Sequence, residues 1–164
     1  MAELTAIGRA AKVATIGAIK GVGSTAEATM KASRDVLLTA VDGVSQIAVA
    51  TEKGGAEVVT GAVHGAAEVG EDVLVILKST IRGTVKGASE VGGDVGKTAV
   101  AAVSAGIKAA EQVGADAGGA LKHAVTGAIE AADEIGGDAS KAVRDVLTVS
   151  IKGAKDIVTQ PFKK

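Results

Sequence analysis

Three sets of residues in this chain have types that do chemistry elsewhere. Gly96-Lys97-Thr98 ends like a phosphate-binding loop, in which backbone N–H groups and a lysine cradle phosphates. That motif requires a glycine five residues before Gly96 and a strand leading into it, and position 91 is Val91. His64 and His123 are the only histidines, 59 residues apart, and a metal site would need further ligands gathered around one of them. Asp72, Asp94, Asp116 and Asp138 recur every 22 residues. On a straight helix they would be separated by about 33 Å, too far to act as an acid and base pair. The regularity that makes these residues conspicuous also disperses them. The expectation is a protein without catalytic residues, cofactor or metal.

The spacing belongs to the whole chain. Glu68-Val69-Gly70, Glu90-Val91-Gly92, Gln112-Val113-Gly114 and Glu134-Ile135-Gly136 follow one another at 22 residues. One column reads Ile19, Val41, Val63, Val85, Ile107, Ile129, Ile151, β-branched throughout. The register divides residues 1–160 into a single array of seven repeats (2–23, 24–45, 46–67, 68–89, 90–111, 112–133 and 134–155), followed by a short basic tail, 161–164. Twenty-two residues in six turns is about 3.67 per turn, close to the α-helical 3.6, so each residue faces the same way as its counterpart one repeat later. No segment alternates with period two, which excludes strands. The expected fold is all-α: a long amphipathic helix, or a few long helices, built from these repeats.

Val69, Val73, Leu77, Ile81 and Val85 share one stripe of such a helix, and Ile47, Val91, Val95, Val103, Ile107, Val113, Leu121, Val125, Ile129 and Ile135 extend it along the chain. Bases and acids take opposite halves of the polar side. The basic half includes Lys31, Lys53, Lys78, Lys86, Lys97, Lys108, Lys122 and Lys141. Glycine is abundant, at 23 residues, and each costs about 0.8–1 kcal/mol of helix propensity relative to alanine. Sixteen stand in four columns on the two borders of the stripe, among them Gly17, Gly21, Gly61, Gly65, Gly83 and Gly87 on one and Gly70, Gly92, Gly114 and Gly136 on the other. Two readings stand side by side: the glycines weaken the helix, or they let neighbouring helices approach closely.

A rod of seven repeats would be about 230 Å long with no interior, so its stripe must be covered. The cover is the chain folded back in hairpins, further copies of the chain, or a lipid surface. Gly54-Gly55, Gly92-Gly93, Gly118-Gly119 and Gly136-Gly137 are where hairpins would turn, although the unbroken phase argues for continuous helix.

Composition narrows the partners. The formal charge is −1, from 18 basic and 19 acidic residues, so no basic footprint for nucleic acid exists. Phe162 is the only aromatic residue and cysteine is absent. The longest uncharged run, Thr98 to Ile107, is half of the roughly 20 residues a membrane span requires.

Gly54 to Gly65, reading Gly-Gly-Ala-Glu-Val-Val-Thr-Gly-Ala-Val-His-Gly, resembles the repeats of the synucleins, and Lys141 to Thr159 resembles the 11-residue arrays of perilipins. The exchangeable apolipoproteins share the 22-residue period. The resemblance implies a chain poorly ordered in water that becomes helical on phospholipid or lipid-droplet surfaces. The expected function is therefore non-enzymatic: a cytoplasmic protein, peripheral on a membrane or lipid surface, whose apolar stripe enters the lipid while its lysines meet anionic headgroups, with self-association into a coat. The alternative is a structural protein whose helices assemble into filaments, tubes or bundles without lipid.

Overall fold

The computed structural model describes residues 4–21, 25–42 and 47–159. They form α1 (Ala6–Gly21), α2 (Thr25–Val41), α3 (Ile47–Glu68), α4 (Val73–Glu90), α5 (Val95–Gln112), α6 (Ala117–Ile135), α7 (Gly137–Ser150) and the short α8 (Ala154–Val158). The fold is all-α, with no strand among the described residues. It is not the long rod the unbroken phase suggested. The tail at 161–164 lies outside the described residues, as does the side chain of Ile47.

The rod is interrupted by a turn that itself repeats. Gly70, Gly92 and Gly114 have φ of 74°, 74° and 87°, in the left-handed region, where a Cβ would crowd the following carbonyl. Around Gly92, the Gly93 N–H donates to the Ala88 carbonyl at 2.8 Å and the Gly92 N–H to the Ser89 carbonyl at 3.2 Å. This is the Schellman closure of a helix. The same pair of bonds runs from Glu71 and Gly70 to Ala66 and Ala67, and from Ala115 and Gly114 to Ala110 and Glu111. Two residues after each glycine an aspartate caps the next helix. Asp72 accepts from the Leu74 and Val75 N–H groups at 3.0 and 3.3 Å, Asp94 from Lys97 at 2.9 Å and Asp116 from Gly119 at 2.7 Å. Gly-x-Asp is thus a stop and a start, and α4, α5 and α6 begin 22 residues apart because of it.

Unbroken phase does not require an unbroken helix. An 18-residue helix with a four-residue turn spans the same 22 residues as six helical turns. Of the anticipated hairpin sites, Gly92-Gly93 and Gly136-Gly137 are turns. Gly54-Gly55 lies inside α3 and Gly118-Gly119 inside the first turn of α6.

Each of the first four helices packs extensively on the helix two further along: α1 on α3, α2 on α4, α3 on α5 and α4 on α6. For these four the packing on the immediate neighbour is less extensive, whereas α5 and α6 pack at least as much on the next helix as on the one beyond it. Two rows result, α1-α3-α5-α7 and α2-α4-α6-α8. Within a row the helices run parallel: Gly61 sits over Gly8 and Gly65 over Lys12, and Gly83 over Met30 and Gly87 over Arg34. The approach is close enough that a Cβ on Gly61 or Gly83 would overlap the carbonyl oxygen of Gly8 or Met30, and one on Gly127 would lie 2.7 Å from that of Lys78. These glycines bring backbones together without obliging a loss of helix.

The row register then slips by one turn. Arg34 pairs with Glu90, 56 residues on, whereas Arg82 pairs with Glu134, 52 residues on. At the far end the pattern changes again. Gly136 alone separates α6 from α7, with φ 154° and no side-chain cap, so Asp138 falls inside the first turn of α7 instead of capping it.

Candidate interaction surface

The stripe residues are covered by the chain's own helices. Leu77, Ile81, Val85, Val103, Val125 and Ile129 are fully buried in one core cluster that continues through Val59, Val63 and Leu147. Val73, Val95, Ile107, Val113, Leu121 and Ile135 are half-buried against it, and Val69 and Val91 are half-buried near the turns. In the folded chain these side chains therefore face one another and not the surroundings. Once the rod doubles back at its Gly-x-Asp turns, each stripe finds its neighbour's.

The basic residues divide in two. Lys31, Lys53, Lys97, Lys108, Lys122 and Lys141 are exposed. Lys78 and Lys86 are partly buried between α4 and α6, where Lys78 meets Glu130 at 3.1 Å and Lys86 meets Glu134. Arg82 reaches both carboxylates. The one-turn slip creates this ladder, setting three cations against two carboxylates. Partial burial pushes the Glu134 carboxyl up, but the Lys86 hydrogen bond and the charges of Arg82 and Lys86 outweigh it, and it is held below its ordinary value. At the other end of the stack, the hydrogen bond to Glu90 raises the Arg34 guanidinium above its ordinary value, with Asp35 adding to the effect.

Among the described residues, the chemistry-bearing side chains singled out by the sequence are held apart from one another. Gly96-Lys97-Thr98 forms the first turn of α5, and its Lys97 N–H is already taken by the Asp94 carboxylate, which also opposes a phosphate there. Among the described residues no group of three metal-ligating side chains converges. His64 lies 3.4 Å from the Gln112 amide oxygen, and His123 Nδ1 lies 2.9 Å from the Gly119 carbonyl.

What remains is a face the stack leaves bare. In α4 the positions Ile76, Ser79, Thr80, Gly83, Thr84 and Gly87 are all buried. Gly83 and Gly87 lie against α2. The same columns in α1 are Ala10, Val13, Ala14, Gly17, Ala18 and Gly21, none of them buried. Val13 is 70% exposed, and among the described residues nothing lies within 4 Å of where a Cβ would stand on Gly17 or Gly21. In α2 the columns are Ala32, Asp35, Val36, Thr39 and Ala40, again none buried. Between the two helices runs a groove of about 540 Å³, walled by Ile7, Ala10, Ala14, Val36 and Ala40 and carrying one charged side chain, Asp35.

The sequence signal for this face lay in its columns. Gly17 and Gly21 share theirs with Gly61 and Gly65, so the chain's first helix carries a docking side like that of its third. Periodicity identifies such a side but does not show whether a described helix covers it.

No family model, curated protein or solved structure matches the chain. No described helix is long and apolar enough to cross a membrane.

Proposed function

We propose that this chain is a non-enzymatic structural protein that works by self-association of its helical stack, the seven 22-residue repeats serving as its building unit. One observation carries the reading: columns that are buried in α4, where Gly83 and Gly87 lie against α2, stand uncovered on α1 and α2, around an apolar groove. Contiguous apolar surface of this kind marks an interaction site. The long lipid-bound rod has less support, because its stripe is the core of the stack.

A peripheral role at a lipid surface keeps one specific observation in its favour. α1 carries Arg9, Lys12 and Lys20 and no acidic residue, and its outward side presents Ala10 and Val13. A short helix of this kind suits an anionic surface.

Light scattering of pure, lipid-free protein across concentration, together with sedimentation with anionic vesicles, separates the two. Self-association without lipid, and helicity unchanged on adding vesicles, is expected. A chain that stays monomeric at all concentrations, or gains its helix only with vesicles, contradicts the proposal.

A further inference from the structure

We infer that the α1–α2 end takes a second copy of this chain, its own α1–α2 end, around a two-fold axis that lays α1 of one copy across α2 of the other. The inference rests on the self-association proposed above and specifies its interface and closure.

Continuity with the interfaces inside the molecule identifies a helix as the occupant. Gly61-x-x-x-Gly65 and Gly83-x-x-x-Gly87 accept the backbones of α1 and α2. Gly17-x-x-x-Gly21 is the same element with nothing seated on it, so a helix is the shape it fits.

The opposite end of the stack is a poor candidate for that helix. α8 lies across α6 and α7 there, with Ala154 buried and Gly153 against Leu121. The exposed side of α7 presents Asp138, Lys141 and Asp145. Seating these on an apolar groove would strip water from charges without pairing them. Head-to-tail growth into an open filament is disfavoured, and same-end pairing closes after two copies.

Charge selects α1 against α2. On α1, Lys12 is engaged by Glu68 of α3, which leaves Arg9 and Lys20 exposed. On α2, Arg34 is engaged by both Glu90 and Asp35, which leaves Glu27, and Asp42 just past the helix end, against a single exposed base, Lys31. A basic helix beside one whose remaining charge, with Asp42 at its end, is slightly acidic is complementary to its own two-fold image. Such pairing sets orientation more than affinity.

The test uses the whole chain in three forms. Ala10→Glu with Val36→Glu places carboxylates at the groove, and Val149→Glu alters a side chain that is 88% exposed on α7. All these sites are at least partly solvent-exposed, so helicity by circular dichroism should be unchanged. Sedimentation equilibrium should give a dimer for wild type and for V149E, with the dissociation constant raised at least about tenfold in the double variant. Because the chain has no cysteine, single-cysteine proteins V13C and V36C can also be mixed and oxidised, and they should crosslink to each other. Should the glutamates disturb the fold, this crosslink decides alone. Open-ended polymers, or a dimer lost in V149E and kept in the double variant, overturn the two-fold pairing and leave self-association standing. A wild-type chain monomeric at every concentration overturns both.

Discussion

Gly17 and Gly83 stand in one column of the same repeat, yet one faces open space and the other lies against the carbonyl of Met30. The contrast extends to whole helices. α4 is enclosed by α2, α3, α5 and α6, whereas α1 packs on α2 and α3 alone. The same repeat columns make a core helix in the first case and a half-covered one in the second. What differs is whether another described helix lies on the glycine side. A side chain's role in this protein is therefore set by its place in the stack as much as by its type.

Substitutions in matched columns put that contrast to work. The largest expected difference is between the core and the open end. Leu77→Ala, in the enclosed cluster, should cost about 2–5 kcal/mol in chemical denaturation, because its neighbours cannot collapse into the space. Val13→Ala should stay within about 0.5 kcal/mol under the same measurement, at a concentration where the protein is monomeric. Equal losses would mean that α1 is not open.

Next comes the glycine pair. Gly83→Ala should destabilise by about 1–3 kcal/mol, since the new methyl must push α4 away from α2. Gly17→Ala should stabilise by about 0.5–1 kcal/mol through helix propensity alone. Opposite signs for one substitution in one column, read as shifts of the denaturation midpoint, would establish that packing decides these positions.

The caps give a smaller effect. Asp94→Ala removes the acceptor for the Lys97 N–H and should cost about 1 kcal/mol. Asp138→Ala should cost less, because Asp138 shares the column but caps nothing.

The smallest effect is at the ion ladder between α4 and α6. The Glu134 carboxyl is held below its ordinary value, so the stability it contributes is present above the unfolded-state value and is lost as pH falls through the lower folded one. Glu134→Gln should therefore lower the urea midpoint slightly at neutral pH, by less than about 1 kcal/mol for so exposed a group. The difference should fade in acid. The one-turn register slip predicts no equivalent ladder between α2 and α4, where Arg34 meets Glu90 without a second carboxylate from α4.

Much of this architecture was legible in the sequence, and its main ambiguity has a physical origin. Helical phase and the grouping of Val85, Ile107 and Ile129 in one apolar column follow from periodicity. Whether that column wets a surface or closes on itself does not, because six helical turns and a helix with its turn occupy the same length. The deciding signal was the pairing of Gly70, Gly92 and Gly114 with Asp72, Asp94 and Asp116. Taken as separate columns they read as a glycine border and a row of acids. Taken together, a left-handed glycine two residues before a capping aspartate is a helix stop followed by a helix start. Gly54-Gly55 misled for the opposite reason. Gly55 is needed inside α3, where a Cβ would meet the methyls of Thr84 and Thr98 at 2.9 and 3.1 Å. That demand comes from two other helices and leaves no local trace.

The central claim is that the 22-residue period encodes a doubled-back stack. Spin labels on cysteines introduced at Lys78 and Glu130, which form an ion pair between α4 and α6, test it most directly. The stack predicts a label separation below about 25 Å, since the two residues pair across packed helices whose axes lie roughly 8–10 Å apart. A continuous helix would hold the two positions about 78 Å apart, and a distribution centred at that distance would contradict the account.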